Sequence, residues 1–131
     1  MQKEIVRNAN VAREMIRAAE GEPMWVLLNH VKADKWEQHK HFVHDILMPA
    51  AEKVDPAAFR HTRFLHPAEQ NEDGTYTSVW LMDPLIEGAD YTFLGLLTKA
   101  YGEEQAKEYV QLWEESEASP QVGYRLIQSA L

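Results

Sequence analysis

The chain has no cysteine. That removes disulfides, thiolate nucleophiles, and zinc or iron–sulfur centres built on cysteine sulfur. It also lacks a long apolar run. The longest strongly apolar patch, "FLGLL", falls far short of the roughly 18 residues that a membrane span needs. The opening stretch "MQKEIVRNANVAREMIRAAE" carries charges throughout and has no continuous apolar core, so it does not read as a secretory signal. A cytoplasmic protein away from membranes is expected. Basic residues are outnumbered, 13 against 21 acidic, for a formal net charge of −8. Such a field repels phosphate backbones, no Lys/Arg cluster offsets it, and nucleic acid is not an expected partner.

What is present suits one globular domain. The 131 residues are enough for a core and too few for two domains, and the chain is 45% hydrophobic and 26% charged. Ile5, Ala9, Ala12, Ile16 and Ala19 recur at helical spacing, which predicts a helix over 3–20 that ends at "EGEP". Residues 1–23 are read as a helical extension, and 24–131 as the main domain. "MWVLLNHV" (24–31) reads as a buried strand. "DKWE" (34–37) offers Asp34 and Glu37 as a capping box for a helix over about 35–53, which Pro49 kinks or restarts.

"DPAAF" reads as a single turn with Asp55 as cap and Pro56 at its first position. "RHTRFLH" and "TYTSVWLM" form a hairpin across the polar loop "PAEQNEDG". Two helical stretches broken near Gly102 follow, then a last strand, "VGYRLIQ". This order predicts an α+β, ferredoxin-like split βαβ arrangement: a four-stranded antiparallel sheet with helices on one face. The first strand is apolar on both parities, Trp25 and Leu27 against Val26 and Leu28. Its bare face therefore needs a cover, and a homodimer joined through the sheet faces supplies one most simply.

The element order, with "MWVLLNHVKADKWEQHKHF" and "YTSVWLMDP", resembles the dimeric α+β barrel superfamily over roughly residues 24–128. That group includes antibiotic-biosynthesis-type monooxygenases, haem-degrading monooxygenases, muconolactone isomerases and stress-responsive barrel proteins. The resemblance implies a pocket in each protomer between the sheet and its helices; the N-terminal helix 3–20 lies outside the usual pattern and is read as a dimer arm. Its haem-degrading branch implies an Asn on the first strand, a Trp on the third, and a His on the second long helix. Asn29 and Trp80 match the first two, but residues 90–116 contain no histidine, so no haem or other cofactor is expected. The cofactor-independent monooxygenases imply a polar set in an apolar pocket, for which Asn29, Trp80 and Tyr91 stand, with Asn29 donating to a developing oxyanion.

Half of the six histidines sit in "WEQHKHFVHDIL" (36–47). At about 100° per residue, His39 borders the arc of Trp36, Val43, Ile46 and Leu47, while His41 and His44 lie together on the far side. The three cannot meet on one ion. His41 and His44, flanked by Glu37 and Asp45, form at most an incidental i, i+3 pair, and no functional metal site is expected. His39 points toward the sheet, where a base or a hydrogen-bonding group would act. The segment 91–113 is richer in apolar residues than a narrow stripe requires, which suits a ligand cavity or a partner contact. The expected ligand-binding set is Leu27, Asn29, His39, Val43, Trp80, Tyr91, Leu94 and Trp113, with His39 and Asn29 as catalytic candidates. Three readings follow: a binder of a small aromatic, polyketide-like or fatty molecule; a cofactor-independent monooxygenase or isomerase using the same pocket; or a dimer module without a ligand.

Overall fold

The structure, a computed structural model, describes residues 17–130. Most of the helix expected over 3–20 therefore lies outside the described residues. Residues 17–22 enter as an irregular segment, and Gly21, at φ +83°, donates its N–H to Gln128 O at 2.8 Å.

β1 (Pro23–Val31) and β3 (Tyr76–Met82) form the centre of the sheet, with β2 (Thr62–Leu65) and β4 (Val122–Ile127) at its edges. The strand order is β2-β3-β1-β4 and every pairing is antiparallel. β3 is thus inserted between β1 and β2, the split βαβ of a ferredoxin-like α+β fold. Because side chains alternate along a strand, Trp25, Leu27, Asn29 and Val31 turn toward the helices. The register sets Leu27 beside Trp80 and Asn29 beside Ser78.

The first crossover is one long helical passage of three pieces. α1 (Trp36–His41) runs into a π-helical segment (Phe42–Leu47), and α2 (Met48–Val54) continues it. Pro49 has no N–H to give, and its ring crowds the carbonyl one turn back. The wider π turn just before it, in which Met48 N–H reaches Val43 O, lets the helix continue without a break. The expected Asp34–Glu37 capping box does not form. Asp34 lies inside a 3-10 turn (Ala33–Lys35), and no side chain among the described residues caps α1. The short α3 (Pro56–Arg60) starts as expected: Asp55 accepts the Ala58 N–H at 3.1 Å, and Pro56 fills a position that has no partner for an N–H.

α4 (Phe93–Tyr101) and α5 (Glu103–Ser116) complete the layer, and Gly102, at φ +92°, makes the corner between them. Phe42, Val43, Leu97 and Ala106 are sealed in the core between the helices and the sheet, with Leu27, Trp80 and Trp113 nearly so. Each of the larger side chains contributes about 1.5–3 kcal/mol by leaving water. The opposite face of the sheet carries Met24, Val26, Leu28, Val79 and Leu81, all half-buried, and the exposed Val122, Tyr124 and Leu126. Among the described residues no helix is long and apolar enough to cross a membrane.

Candidate functional site

A pocket of about 610 Å³ opens at one end of the helix-covered face. Its floor is the Trp25–Leu27 half of β1 and the Trp80–Met82 half of β3, and its walls come from α2, α3, the 83–92 loop and the start of α4. Trp25, Leu27, Trp80, Met82, Phe93 and Leu96 make it apolar. Tyr91 packs edge-on against Trp25 at 6.0 Å, and its hydroxyl oxygen accepts the Ile86 N–H at 2.9 Å, which fixes the loop over the floor. Burial pushes the Tyr91 phenol above its ordinary range, the Ile86 bond opposes this, and the charge of Asp55 adds to it. Trp80 is 4% exposed and its indole N–H, itself buried, has no partner among the described residues.

The charged groups at the rim differ in how they are used. Asp55 caps α3, and Asp90 accepts both the N–H and the hydroxyl of Thr92, which hold its carboxyl below the usual range. Glu87 and Arg125 also line the pocket and form no ion pair among the described residues.

Behind the pocket, toward the other end of β1, runs a buried polar seam. Ser116 Oγ–H donates to Trp113 O at 2.7 Å, so its oxygen is left to accept from His39 Nδ1–H at 3.1 Å. The imidazole is then the Nδ1–H tautomer, and its bare Nε2 accepts the Ser78 hydroxyl at 2.9 Å. Asn29 Nδ2 donates to Ser78 Oγ at 3.1 Å, and Asn29 Oδ1 accepts from Gln121 Nε2 at 2.7 Å. Every donor in this chain points the same way, from Gln121 to the end of α5. Burial, with the His66 and His44 charges, lowers the His39 pKa to about 4, so the ring is neutral at neutral pH.

The expected lining set therefore divides. Leu27, Trp80 and Tyr91 line the pocket. Asn29, His39, Val43 and Trp113 do not; they are buried in the core and the seam. Leu94 is 45% exposed and also lies off the lining. The physical reason is position along the strand. Asn29 shares the face of Leu27, but it lies where Lys32 N–H bonds Ser116 O and Ala118 N–H bonds His30 O, which closes the end of α5 over it. Gln121 is the link: it lines the pocket and holds Asn29.

Sequence reasoning passed over Trp25 as a lining residue, and Ser78, Ser116 and Gln121 altogether. Ser78 carried a signal, being the lone serine in an apolar strand, at the parity of Trp80. Gln121 carried none, since it lies in an irregular stretch before β4.

The other histidines separate. His41 Nδ1 lies 2.8 Å from Asp45 Oδ2 on the solvent side, while His44 turns away from His41 to meet His66. Among the described residues, no group of three or more histidines and carboxylates is placed to hold an ion.

No family model matches the chain, and no curated protein does. Two solved structures overlap it. One is a protein of Caulobacter crescentus CB15 classed as an antibiotic biosynthesis monooxygenase, 15% identical, covering 85% of this chain and 92% of its own, with a TM-score of 0.48. The other is a dimeric ferredoxin-like protein of unknown function from Thermobifida fusca YX, 14% identical, covering 82% and 92%, with a TM-score of 0.46. The fold stands on the strand order and pairing described above.

Proposed function

We propose that this protein binds a small apolar molecule, aromatic, polyketide-like or fatty, in the pocket between sheet and helices, and that it does so as a homodimer. The observation that carries the reading is the pocket itself. Its volume of about 610 Å³ falls within the roughly 300–1,000 Å³ of small-molecule sites, and its walls are aromatic and aliphatic with few polar groups. Leu27, Trp80 and Tyr91 are the contacts retained from the expected set, joined by Trp25 and Phe93.

A second reading, a cofactor-independent monooxygenase or isomerase, is favoured by one contact: the seam reaches the pocket at Gln121. In that reading Asn29 and His39 are positioning residues that act through Gln121, and Tyr91 and Trp80 are the groups that touch the substrate.

Mass spectrometry of small molecules released from the purified protein tests the binding reading. An apolar compound is expected from the wild type and not from Ala51→Trp, which places an indole in the pocket from α2. A folded Ala51→Trp protein that keeps the compound at wild-type level would place the ligand elsewhere. An empty wild type that also fails to take up a fluorescent apolar probe would overturn the reading.

A further inference from the structure

Outside the pocket, two histidines 22 positions apart meet. His44 stands on the π-helical segment and His66 just past β2, and they bring Nε2 to 2.8 Å from Nε2. In the neutral pair one of these nitrogens donates and the other accepts. Packing sets the rings: His66 is edge-on to Trp36 at 5.7 Å and to Phe64 at 5.5 Å, and His44 is edge-on to Phe64 at 5.7 Å. Both residues are exposed, so an ion can reach them from solvent.

We propose that His44 and His66 form a two-imidazole chelate for a divalent transition ion, copper(II) ahead of nickel or zinc. Metal–nitrogen bonds of about 2.0–2.1 Å at cis angles hold two imidazole nitrogens about 2.9–3.4 Å apart. The two nitrogens therefore part by only a few tenths of an ångström, each ring turns so that its lone pair meets the ion off the line between them, and the proton of the donor Nε2 moves to Nδ1 of the same ring, leaving both imidazoles neutral. Two neutral imidazoles suit copper, nickel and zinc, and copper(II) heads the affinity order of these ions. Lys40, whose charge reaches His66, is itself paired with Glu37 at 3.0 Å.

No third histidine or carboxylate joins among the described residues, so the ion keeps positions open to water or to a small chelating ligand. His41 takes no part. Its Nδ1 is held by Asp45, and the partner of His44 comes from the chain after β2 rather than from its own helix.

Titration calorimetry with copper(II) sulfate near neutral pH, in a buffer that does not chelate, tests the site. The wild type is expected to take up one ion per protomer with the nitrogen superhyperfine pattern of two imidazoles in its electron paramagnetic resonance spectrum. His44→Ala and His66→Ala should each weaken binding by about 10–100-fold and leave a one-imidazole signature, while His41→Ala binds as the wild type does. Circular dichroism and the more conservative His44→Gln and His66→Gln control for folding. Equal affinity in the wild type and in folded His66→Gln, or a loss in His41→Ala as large as in His44→Ala, would overturn the proposal.

Discussion

Protonating His39 would put a second N–H on Nε2, where the Ser78 hydroxyl already donates. Ser78 would have to turn, but its oxygen is also held by Asn29. The seam is thus built for the neutral ring, in keeping with the fall of its pKa to about 4 by burial and by the His66 and His44 charges. In the unfolded chain the same ring titrates at about 6.5. The folded state is then the poorer proton binder between these two values. The contribution of His39 to stability is complete above the unfolded value, falls as the pH drops toward about 4, and levels off below. Linkage puts the whole loss at about 3 kcal/mol. Urea unfolding at a series of pH values should show this limb. His39→Leu should remove it and cost about 2–4 kcal/mol at neutral pH, because the Ser78 and Ser116 hydroxyls lose their buried partner. An acid limb that survives in His39→Leu would assign it to another group.

Among the elements, α4 turns an ordinary rule around. A glycine in a helix is usually improved by alanine, by about 0.5–1 kcal/mol. Gly95 in the first turn of α4 is an exception, since an added Cβ would overlap the Asp90 carboxylate and lie 2.6 Å from Thr92 Oγ1. Those groups make the cap: Thr92 Oγ1 accepts the Gly95 N–H at 3.2 Å, and Asp90 holds the Thr92 N–H and hydroxyl. Gly95→Ala is expected to destabilise by about 1–2 kcal/mol and to loosen the 83–92 loop that walls the pocket; a raised melting temperature would contradict this. The same local chemistry decides what the sequence made legible. Asp55–Pro56 is a cap whose donor and acceptor lie within three residues, and it formed as read. The Asp34–Glu37 pattern did not, because a 3-10 turn claimed Asp34. Helical periodicity placed His39 on the buried side correctly. Strand parity put Asn29 and Leu27 on one face, yet parity is silent on distance along that face. Which of the two meets the pocket depends on where α5 ends, a tertiary fact with no local signature. Gln121 and the His44–His66 contact were hidden for the same reason.

Over the whole molecule, the two faces of the sheet have different fates. One is covered by the helices and holds the pocket. The other presents Met24, Val26 and Leu28 of β1 between Val79 and Leu81 of β3 and Val122, Tyr124 and Leu126 of β4. Tyr124 and Leu126 are 52% and 49% exposed, and a contiguous apolar patch of this kind marks an interaction surface. A second copy is a partner that the formal charge of −8 does not exclude, since this face carries no acidic group among its strand residues and its Arg63 is already paired with Asp83 at 2.6 Å. A twofold arrangement presents the same patch twice, so a residue near the axis approaches its own copy. A carboxylate introduced there is both desolvated and opposed by its twin, a penalty of several kcal/mol. At micromolar concentrations the wild type is therefore expected to sediment as a dimer and the Val26→Glu, Leu126→Glu double variant as a monomer. The pocket lies on the opposite face, so a folded monomer should release the same small molecules, if any, as the wild type does. A wild type that is already monomeric, or a double variant that remains dimeric, would remove the sheet face as the interface.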